Sequence, residues 1–379
     1  MQTALYSYKK TGIVKHPLSN LDREEEAGLV LCFGAKNMLA ETDVYAMLQQ
    51  QFPQALIATC STAGEIYHTS VEDDTLAVTA VKFDHTRVVP ESVNSSAFAS
   101  SYDAGQALIN QFDKKDLVHV FVLSDGSTVN GSELVQGMND AAGKGILVTG
   151  GLAGDGSNFQ STLVGLNCKP QPGLIAAIGF YGSRLKVTHG SRGGWETFGL
   201  EKEVTASEKN ILFEIENRNA LDLYKQYLGA EANGLPGAAL LFPLSVILPG
   251  QTEPVVRTIL SIDDTKGAMT FAGDIPTGSR VRLMRANFDK ITTAASEAAE
   301  QTMLHNNSFP GLAILISCVG RKLILKSRVE EETEVVDEMY DHKTILTGFY
   351  SYGELSPLVH GGTCQLQNQT MTITTFYES

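Results

Sequence analysis

Two histidines stand next to glycine, a setting in which an imidazole can reach a metal ion or a polar ligand. His189 lies in Thr-His-Gly and His360 lies in His-Gly-Gly. A loop without Cβ atoms lets the backbone come close to a flat ligand, and a neutral imidazole binds iron well. Each histidine is therefore a candidate axial ligand for a haem iron. The alternative, a hydrated histidine in a surface loop, stays open for both.

Three acidic residues directly follow glycine where an apolar stretch ends. The pairs are Gly64 and Glu65, Gly154 and Asp155, and Gly353 and Glu354. Glycine can supply a positive φ at a turn, and the acid can accept a hydrogen bond from a nearby backbone N–H. We predict that the first two pairs are structural turns. Glu354 follows two tyrosines and precedes His360, so we predict that this copy binds a ligand.

The C-terminal stretch supplies most of the predicted ligand contacts, which are Tyr350, Tyr352, Gly353, Glu354, His360 and Asn368. Tyrosine offers apolar area with a polar tip, Glu354 can meet an ammonium group, and an asparagine can both donate and accept hydrogen bonds. Arg257 is a candidate partner for a carboxylate, because a guanidinium binds a carboxylate bidentately. An exposed strand residue is the alternative interpretation of Arg257.

The sequence contains no arrangement that is typical of an enzyme. The motifs G-x-S-x-G and H-E-x-x-H are absent, and no two histidines are spaced to share a metal on one helix face. Ser124 and Asp125 lie in Leu-Ser-Asp-Gly, but the sequence nominates no histidine as their base. An Asx turn that leads into a helix is the simpler interpretation. We predict no enzymatic activity and no metal apart from the haem iron considered above.

Composition limits the partners of the chain. Its 379 residues carry 43 acidic and 29 basic side chains, a net charge of −14, which repels nucleic acid and anionic lipid. Five scattered cysteines without C-x-x-C spacing argue against a disulfide framework and favour a reducing cytoplasm. Prolines interrupt the most apolar stretch, 234–250, and the first residues lack the layout of a signal peptide, so we predict no membrane association.

One order of elements recurs three times along the chain. Apolar strands predicted at 27–35, 117–126 and 311–320 are each followed by an amphipathic helix, a strand that ends in glycine and an acid, and a further strand. In the second copy we expect Ser132 to be the helix N-cap. We interpret the three copies as diverged forms of one β-α-β-β unit.

The predicted fold class is α/β, with two lobes of mixed β-sheet flanked by helices and built from these diverged β-α-β-β units. Short strands with turns that contain glycine or proline follow residue 237, and a helix is predicted at 288–304. We therefore predict two domains, residues 1–200 and 201–379.

Six parts of the sequence resemble the FIST family of sensory domains, in the order that the family has them. They are "CSTAGEI" (60–66), "LSDG" (123–126), "GGLAGD" (150–155), "VRTILSIDD" (256–264) with "FAGDIPTGSRVRLMRA" (271–286), "GFYSYGELSP" (348–357) and "NQTMTITT" (368–375). The resemblance extends from about residue 27 to residue 378. It identifies residues 1–200 with the FIST N-terminal sensory domain and 201–379 with the FIST C-terminal domain.

The resemblance implies a cytoplasmic bacterial signal-input protein that binds a small ligand and acts through a separate partner. NosP-like members of the family bind haem, sense nitric oxide and act with a histidine kinase on cyclic di-GMP signalling. For this chain the resemblance thus implies haem b, and the candidate ligands in its sequence are His360 and alternatively His189. Gln367 stands where family members commonly have histidine.

Two alternatives remain at this point. One is a haem-free sensor of a small organic ligand such as an amino acid, and the other is a hydrolase-like enzyme with an unrecognised site. The sequence leaves the ligand, the partner kinase and the oligomeric state open, a homo-oligomer included.

Overall fold

The protein is described from a computed structural model, which covers residues 1–143, 145–235, 237–304 and 308–379. Three repeated units form a large lobe, and an insertion in the third unit forms a small lobe. Each unit runs through an edge strand, a central strand, a helical segment, a second central strand, an exchanged segment and a closing strand.

The first unit consists of β1 (Gln2–Lys9), β2 (Gly12–Lys15), β3 (Leu29–Gly34), α1 (Lys36–Glu41), α2 (Val44–Gln51), β4 (Leu56–Ser61), β5 (Glu65–Tyr67), β6 (Ser70–Glu72) and β7 (Leu76–Lys82). The second consists of β8 (Arg87–Asn94), α3 (Ser101–Asn110), β9 (Leu117–Ser124), α4 (Gly131–Ala142), β10 (Leu147–Leu152), β11 (Val164–Leu166) and β12 (Leu174–Tyr181).

The third unit begins with β13 (Leu185–Arg192) and then enters the small lobe. The small lobe comprises β14 (Glu196–Glu208), β15 (Ile211–Ile215), β16 (Arg218–Asn219), α5 (Ala220–Leu228), β17 (Leu244–Ile247), β18 (Val255–Arg257), β19 (Ile259–Asp263), β20 (Ala268–Phe271) and β21 (Arg280–Arg285). The unit then resumes with α6 (Phe288–Thr302), β22 (Leu312–Cys318), α7 (Val319–Leu325), α8 (Glu331–Met339), β23 (Ile345–Ser351), β24 (Gly353–Pro357), β25 (Cys364–Gln367) and β26 (Met371–Glu378).

Alternate residues of the central strands face two different cores. In β3, Leu29, Leu31 and Phe33 join the interior that the three sheets share, whereas Val30 and Cys32 pack under the helices of the first unit. The same alternation occurs in β9 and β22. Strands that are covered on both faces are apolar throughout, and for this reason the sequence located them.

Each of the three sheets contains one parallel central pair, namely β3 with β4, β9 with β10, and β22 with β23. Each unit also passes one segment to the sheet of another unit. The hairpin β5–β6 joins β23, the strand β11 joins β4, and the hairpin β24–β25 joins β10. The exchange is cyclic, so the three units close on one another with approximate threefold symmetry.

Three backbone hydrogen bonds form a ring where the exchanged segments leave their strands. The N–H groups of Ala63, Gly154 and Tyr352 donate to the carbonyls of Tyr350, Ser61 and Leu152, at 2.8, 2.9 and 3.1 Å. Each bond joins two different units. The ring fixes the register among the units, since it makes Ala63, Gly154 and Tyr352 equivalent.

The small lobe is an antiparallel sheet in the order β18-β17-β21-β14-β15-β20-β19, with β16 paired to β15. Helix α5 covers it and completes a separate apolar core. The α/β fold class with two lobes and diverged units is therefore confirmed. The predicted domain division after residue 200 falls inside β14 and stays a prediction.

The helix caps follow ordinary rules, with one correction to the sequence analysis. The N-cap of α4 is Asn130, whose side chain accepts from the N–H groups of Ser132 and Glu133. Ser132 was the wrong choice because its own N–H is one of the two donors that Asn130 caps, so Ser132 already lies within the first turn of α4. In the ranges that the structure describes, no helix combines the length and the apolar character that a membrane crossing requires.

Candidate functional site

Glu354 and Glu65 have the same structural role in two different units. One oxygen of Glu354 accepts from the Ser351 hydroxyl at 2.7 Å, and the other accepts from Thr370 N and Oγ1 at 3.1 and 2.9 Å. Glu65 accepts in the same way from the Thr62 hydroxyl and from Thr75 N and Oγ1. Both carboxyl groups thus hold the start of a closing strand.

Both carboxyl groups are also withdrawn from water. Burial raises the pKa of Glu354 to about 8 and that of Glu65 to about 7. The three hydrogen bonds that Glu354 accepts occupy both of its oxygens. Binding of an ammonium group by Glu354 stays a prediction, and it requires these contacts to be exchanged.

Asp155 is not equivalent to the two glutamates, contrary to the expectation from sequence. The hydrogen-bond ring aligns Asp155 with Gly64 and Gly353, one residue earlier than the glutamates. The second unit uses Asp125 instead, which accepts from the N–H of Gly173 at 2.9 Å. Asp155 is thus shifted by one residue relative to Glu65 and Glu354, and sequence alone did not reveal this shift.

Asp155 joins the second unit to the third. Its carboxylate accepts a short hydrogen bond from the hydroxyl of Tyr352 and further bonds from the N–H groups of Gln160 and Ser161. The Asp155 N–H donates back to the Tyr352 hydroxyl at 3.1 Å. Tyr352 is held firmly at the mouth of a cleft between the two lobes.

Two further predicted ligand contacts lie in the interior. Tyr350 is fully buried and donates to Glu332 at 2.6 Å. The Asn368 amide donates to the carbonyl of Gln367, and its Oδ1 has no partner among the described residues. Gly353 packs closely against Leu366. A Cβ at Gly353 would lie 2.7 Å from the Leu366 side chain. The cavities at the lobe junction and beside His189 do not reach Tyr350, Glu354 or Asn368.

Arg257 is buried at the junction of the two lobes, and so the alternative of an exposed strand residue is wrong. Its Nε donates to the carbonyl of Asp274 at 3.1 Å, and its Nη1 donates to the carbonyls of Val256 and Leu366 at 3.1 and 3.0 Å. Burial lowers the pKa of Arg257 to about 10, and the nearby Asp274 acts in the opposite direction. Among the described residues its hydrogen bonds go to neutral carbonyls, so the charge has no bonded anion.

Arg257 lines a cavity of about 330 Å³ between the lobes. Helix α4, the small lobe and the strand β25 form its walls. The polar lining residues besides Arg257 are Ser132, Gln136, Asn139, Gln251, Asp274, Thr363 and Gln365, and the apolar ones include Val135, Leu248, Pro276 and Leu366.

Asp274 is a junction residue that the sequence analysis did not select. Its Oδ1 accepts from Asn130 Nδ2 and its N–H donates to the Ser132 hydroxyl, both at 3.2 Å, so it connects the small lobe to the start of α4. Asp274 follows glycine within the stretch 271–286, and this recurrence of glycine and an acid was the available signal.

His189 and His360 lie close together. His189 is on β13 opposite Thr374, and His360 is in the loop between β24 and β25. Their ring centroids are 6.3 Å apart and their planes differ by 11°. They share a cavity of about 400 Å³ that is lined by Lys186, Thr188, Gln301, Met303, Leu304, Leu358 and Val359.

The imidazole of His189 has the chemical properties that a ligand of a haem iron requires. Burial, and then the neighbouring His360, lower the pKa of His189 to about 4, so its imidazole is neutral at physiological pH. Its Nδ1 is buried and has no partner among the described residues. In the described ranges, this cavity included, no three His, Cys, Asp or Glu side chains are grouped to hold a metal ion.

The FIST N domain matches residues 28–218, and the FIST C domain matches residues 220–357. The chain belongs to the FIST family. FIST domains are sensory domains of signal transduction that bind small ligands. For a FIST protein, the cavities described above are candidate ligand sites rather than candidate active sites.

Solved structures show only a distant likeness to this FIST chain. The cyanuric acid hydrolase from A. caulinodans is 6% identical, with a TM-score of 0.37, over 94% of this chain and 91% of that one. A second cyanuric acid hydrolase structure is 8% identical, with a TM-score of 0.34, over 100% of this chain and 99% of that one. Comparison with curated proteins gives no match.

Proposed function

We propose that this FIST protein senses an amino acid, bound as a zwitterion in the cavity between the two lobes. The observation that carries the proposal is Arg257, a buried guanidinium that faces this cavity without a bonded anion among the described residues. A buried charge is costly until an opposite charge neutralises it. The carboxylate of a ligand supplies that charge.

Asp274 lines the same cavity and provides the opposite charge. One of its oxygens accepts from Asn130, which leaves lone pairs for the ammonium group of the ligand. Charged hydrogen bonds at both ends of a small molecule fix its orientation and exclude ligands that carry only one of the two groups.

The remaining walls suit a short side chain. Gln136, Asn139 and Gln365 present amide groups, while Val135 and Leu248 present apolar surface. About 330 Å³ is at the lower end of the usual size of a ligand pocket. The proposal therefore favours a small amino acid with a polar or short aliphatic side chain.

Binding would act on the arrangement of the lobes. Arg257 and Asp274 belong to the small lobe, and Gln136, Asn139 and Gln365 belong to the large lobe. A ligand between them stabilises one relative position of the lobes, which is the differential affinity that a sensor requires. Family membership supports the further proposal that this position is communicated to a separate signalling protein in the cytoplasm, such as a histidine kinase.

Thermal-shift screening of the twenty common amino acids, followed by calorimetry, tests the proposal. Asp274→Asn removes a charge, and Gln136→Trp narrows the cavity from an exposed position on α4. We expect Asp274→Asn to weaken binding at least about 10-fold, since a lost charged hydrogen bond costs about 1.5–3 kcal/mol. Gln136→Trp should weaken binding because its larger side chain takes up part of the cavity.

Arg280→Gln serves as the control, because Arg280 forms an exposed ion pair with Glu201 in the same lobe. It should leave the affinity unchanged. Absence of binding by every amino acid, or equal affinity in all three variants, would contradict the proposal.

The cavity of His189 and His360 favours a second candidate function, a haem-based sensor of nitric oxide. His189 or His360 would hold the iron, the apolar side chains of Met303, Leu304 and Leu358 would contact the porphyrin, and Lys186 would meet a propionate. When bound, haem would supply an iron that can take a diatomic gas. Gln367 is buried and donates to the carbonyl of Ser356, so it does not enter this cavity.

Reconstitution with haem, reduction and addition of nitric oxide tests this second function. The Soret band is compared in wild type, His189→Ala, His360→Ala and the double variant. Loss of haem uptake in one single variant would identify the ligand. Failure of the wild type to take up haem, or normal uptake by the double variant, would exclude this site.

A further inference from the structure

A second cavity, of about 340 Å³, lies in the cleft between the lobes and shares Asp274 with the cavity of Arg257. The loop 126–131 of the large lobe and the segment 271–274 of the small lobe form two of its walls. Phe159 and Tyr352 form the third, and Leu260 lies on the small-lobe side. Nothing in the proposed amino-acid site uses these aromatic residues.

Phe159 adopts a conformation that is unusual for a large side chain. Its φ is +54°, a region that favours glycine and asparagine, and the residue is 45% exposed. Folding into an apolar core therefore does not account for its position. Strained residues of this kind concentrate at ligand sites, where the surrounding structure holds them in place.

The ring of Phe159 is nevertheless held in one place. It stacks on Tyr352 with centroids 4.5 Å apart and planes within 18°. The Tyr352 hydroxyl receives hydrogen bonds from the N–H groups of Phe159 and Asp155, at 3.0 and 3.1 Å, and donates to the Asp155 carboxylate. The two rings thus form a fixed aromatic wall before any ligand arrives.

The opposite side of the cavity is apolar and also incompletely covered. Leu260 of β19 is 44% exposed, and Val129 and Leu152 add apolar surface from the large lobe. An exposed leucine that faces an exposed aromatic ring across a cleft leaves room for a flat apolar molecule between them.

The polar groups of the cavity limit the charge of such a molecule. Neutral hydrogen-bond donors and acceptors come from Ser127, Thr128, Asn130 and Asn210. Among the described lining residues, Asp274 is the one carboxylic acid, and none has a basic side chain. An anionic ligand is therefore disfavoured. An uncharged molecule with one hydrogen-bonding group matches the lining.

We propose that this cleft is a second ligand site, which takes a small uncharged aromatic molecule between Phe159 and Leu260. The ligand touches both lobes, as the amino acid does in the neighbouring cavity. The site does not depend on the amino-acid proposal, because the two cavities share only Asp274 among the residues that carry either argument.

Indole is a suitable probe, since it is flat, uncharged and has a single N–H donor. Binding is measured by calorimetry on the full chain, with cyclohexanol as the non-planar comparison. We expect saturable binding of indole, and binding of cyclohexanol at least about 10-fold weaker.

Phe159→Gly removes the aromatic ring and introduces glycine, which adopts a positive φ without strain. The variant should therefore keep its thermal midpoint. Its affinity for indole should fall at least about 10-fold. Leu260→Ser tests the opposite wall and should weaken indole binding similarly. Leu200→Ser is the control, because Leu200 is 79% exposed in the same lobe and does not line the cleft.

Absence of saturable indole binding by the wild type would overturn the proposal. Unchanged indole affinity in both Phe159→Gly and Leu260→Ser would overturn it as well. If Phe159→Gly does not fold, the result with Leu260→Ser decides. Loss of indole binding with intact amino-acid binding would separate this site from the proposed function.

Discussion

Three buried acids that each follow glycine have different roles in this protein, because one of them is shifted by one residue relative to the other two. Glu65 and Glu354 are buried and accept from threonines that begin the closing strands. Asp155 is aligned with glycines, and its carboxylate is free to bind the tyrosine of another unit. The sequence pattern indicated a turn at each of these acids. It could not show that Asp155 is shifted by one residue, since that shift appears only in the backbone hydrogen bonds that join the three units.

The two buried glutamates should make stability depend on pH. Their folded-state pKa values, about 8 and about 7, lie above the ordinary value of 4.5. Each contribution is therefore fully present below about pH 4.5 and is lost as the pH rises through the folded pKa. We expect the share of the unfolding free energy that comes from these two glutamates to fall between about pH 5 and about pH 8.

We expect Glu354→Gln to fold and to lose its own contribution to this decline. The slope of the free energy of unfolding against pH should therefore become less negative by up to about 1.4 kcal/mol per pH unit. Urea denaturation at several pH values measures this slope. The matched control is Glu25→Gln, which removes an exposed carboxylate and should keep the slope of wild type. An unchanged slope in Glu354→Gln would show that the carboxyl ionises normally in the fold.

The substitution Gly154→Ala tests the importance of the hydrogen-bond ring by adding a single methyl group. A Cβ at Gly154 would lie 2.9 Å from the backbone nitrogen of Ala63, the donor of the next bond in the ring. We expect Gly154→Ala to destabilise the protein by roughly 1 kcal/mol or more, because backbone cannot move aside as a flexible side chain can. Gly28→Ala is the control, since a Cβ there meets nothing within 4 Å. Equal denaturation midpoints would contradict the importance of the ring.

At the scale of elements, one buried ion pair holds the third unit together. Arg321 on α7 donates to Glu332 on α8 at 2.9 and 2.7 Å, and both side chains are fully buried. The same guanidinium donates to the carbonyls of Gly193 and Ile291, at the entrance to the small lobe and on α6. The pair thus links three helices to the point at which the chain leaves the large lobe.

Removal of one partner of this pair should be costly. We expect Arg321→Met to destabilise the protein by about 3–5 kcal/mol, because Glu332 would stay buried without its counter-charge. The control is Arg192→Met, whose partner Glu297 is exposed and 3.8 Å away, and which should cost less than about 1 kcal/mol. Chemical denaturation of the two variants measures the difference, and similar losses would refute the argument.

The elements themselves could be predicted, but their partners could not. The central strands and the helices α2, α6 and α8 follow from apolar runs and helical periodicity that are visible in the sequence. The exchange of β5–β6, β11 and β24–β25 is set by closure of three sheets on one another, and no local pattern records it. His189 and His360 were selected separately for the glycines beside them, and only the packing of β13 against the β24–β25 loop brings them together.

At the scale of the whole molecule, the small lobe is an insertion between two elements of the third unit. The chain leaves after β13 and returns at α6, and Glu196 pairs with Arg285 where the lobe joins. Sequence analysis predicted two lobes but placed the division at a single point, because an insertion that returns to the same unit has no signature in composition. The proposed amino-acid and aromatic sites both need this lobe, whereas the histidine cavity lies within the large lobe.

Replacement of residues 196–286 by a short glycine-serine linker tests this organisation. The ends of the insertion are close, since a Cβ at Gly194 would lie 2.3 Å from the carbonyl oxygen of Lys290. We expect the shortened protein to fold with a lower thermal midpoint, because Ile324 and Leu325 lose the cover of Leu240 and Leu241.

Near-ultraviolet circular dichroism reports the packing of the core, and calorimetry should detect neither amino-acid nor indole binding. If the full chain takes up haem, the shortened chain should retain that uptake, because none of the residues that line the cavity of His189 and His360 is removed. A shortened chain without fixed tertiary structure would instead mean that the three units cannot close without the small lobe.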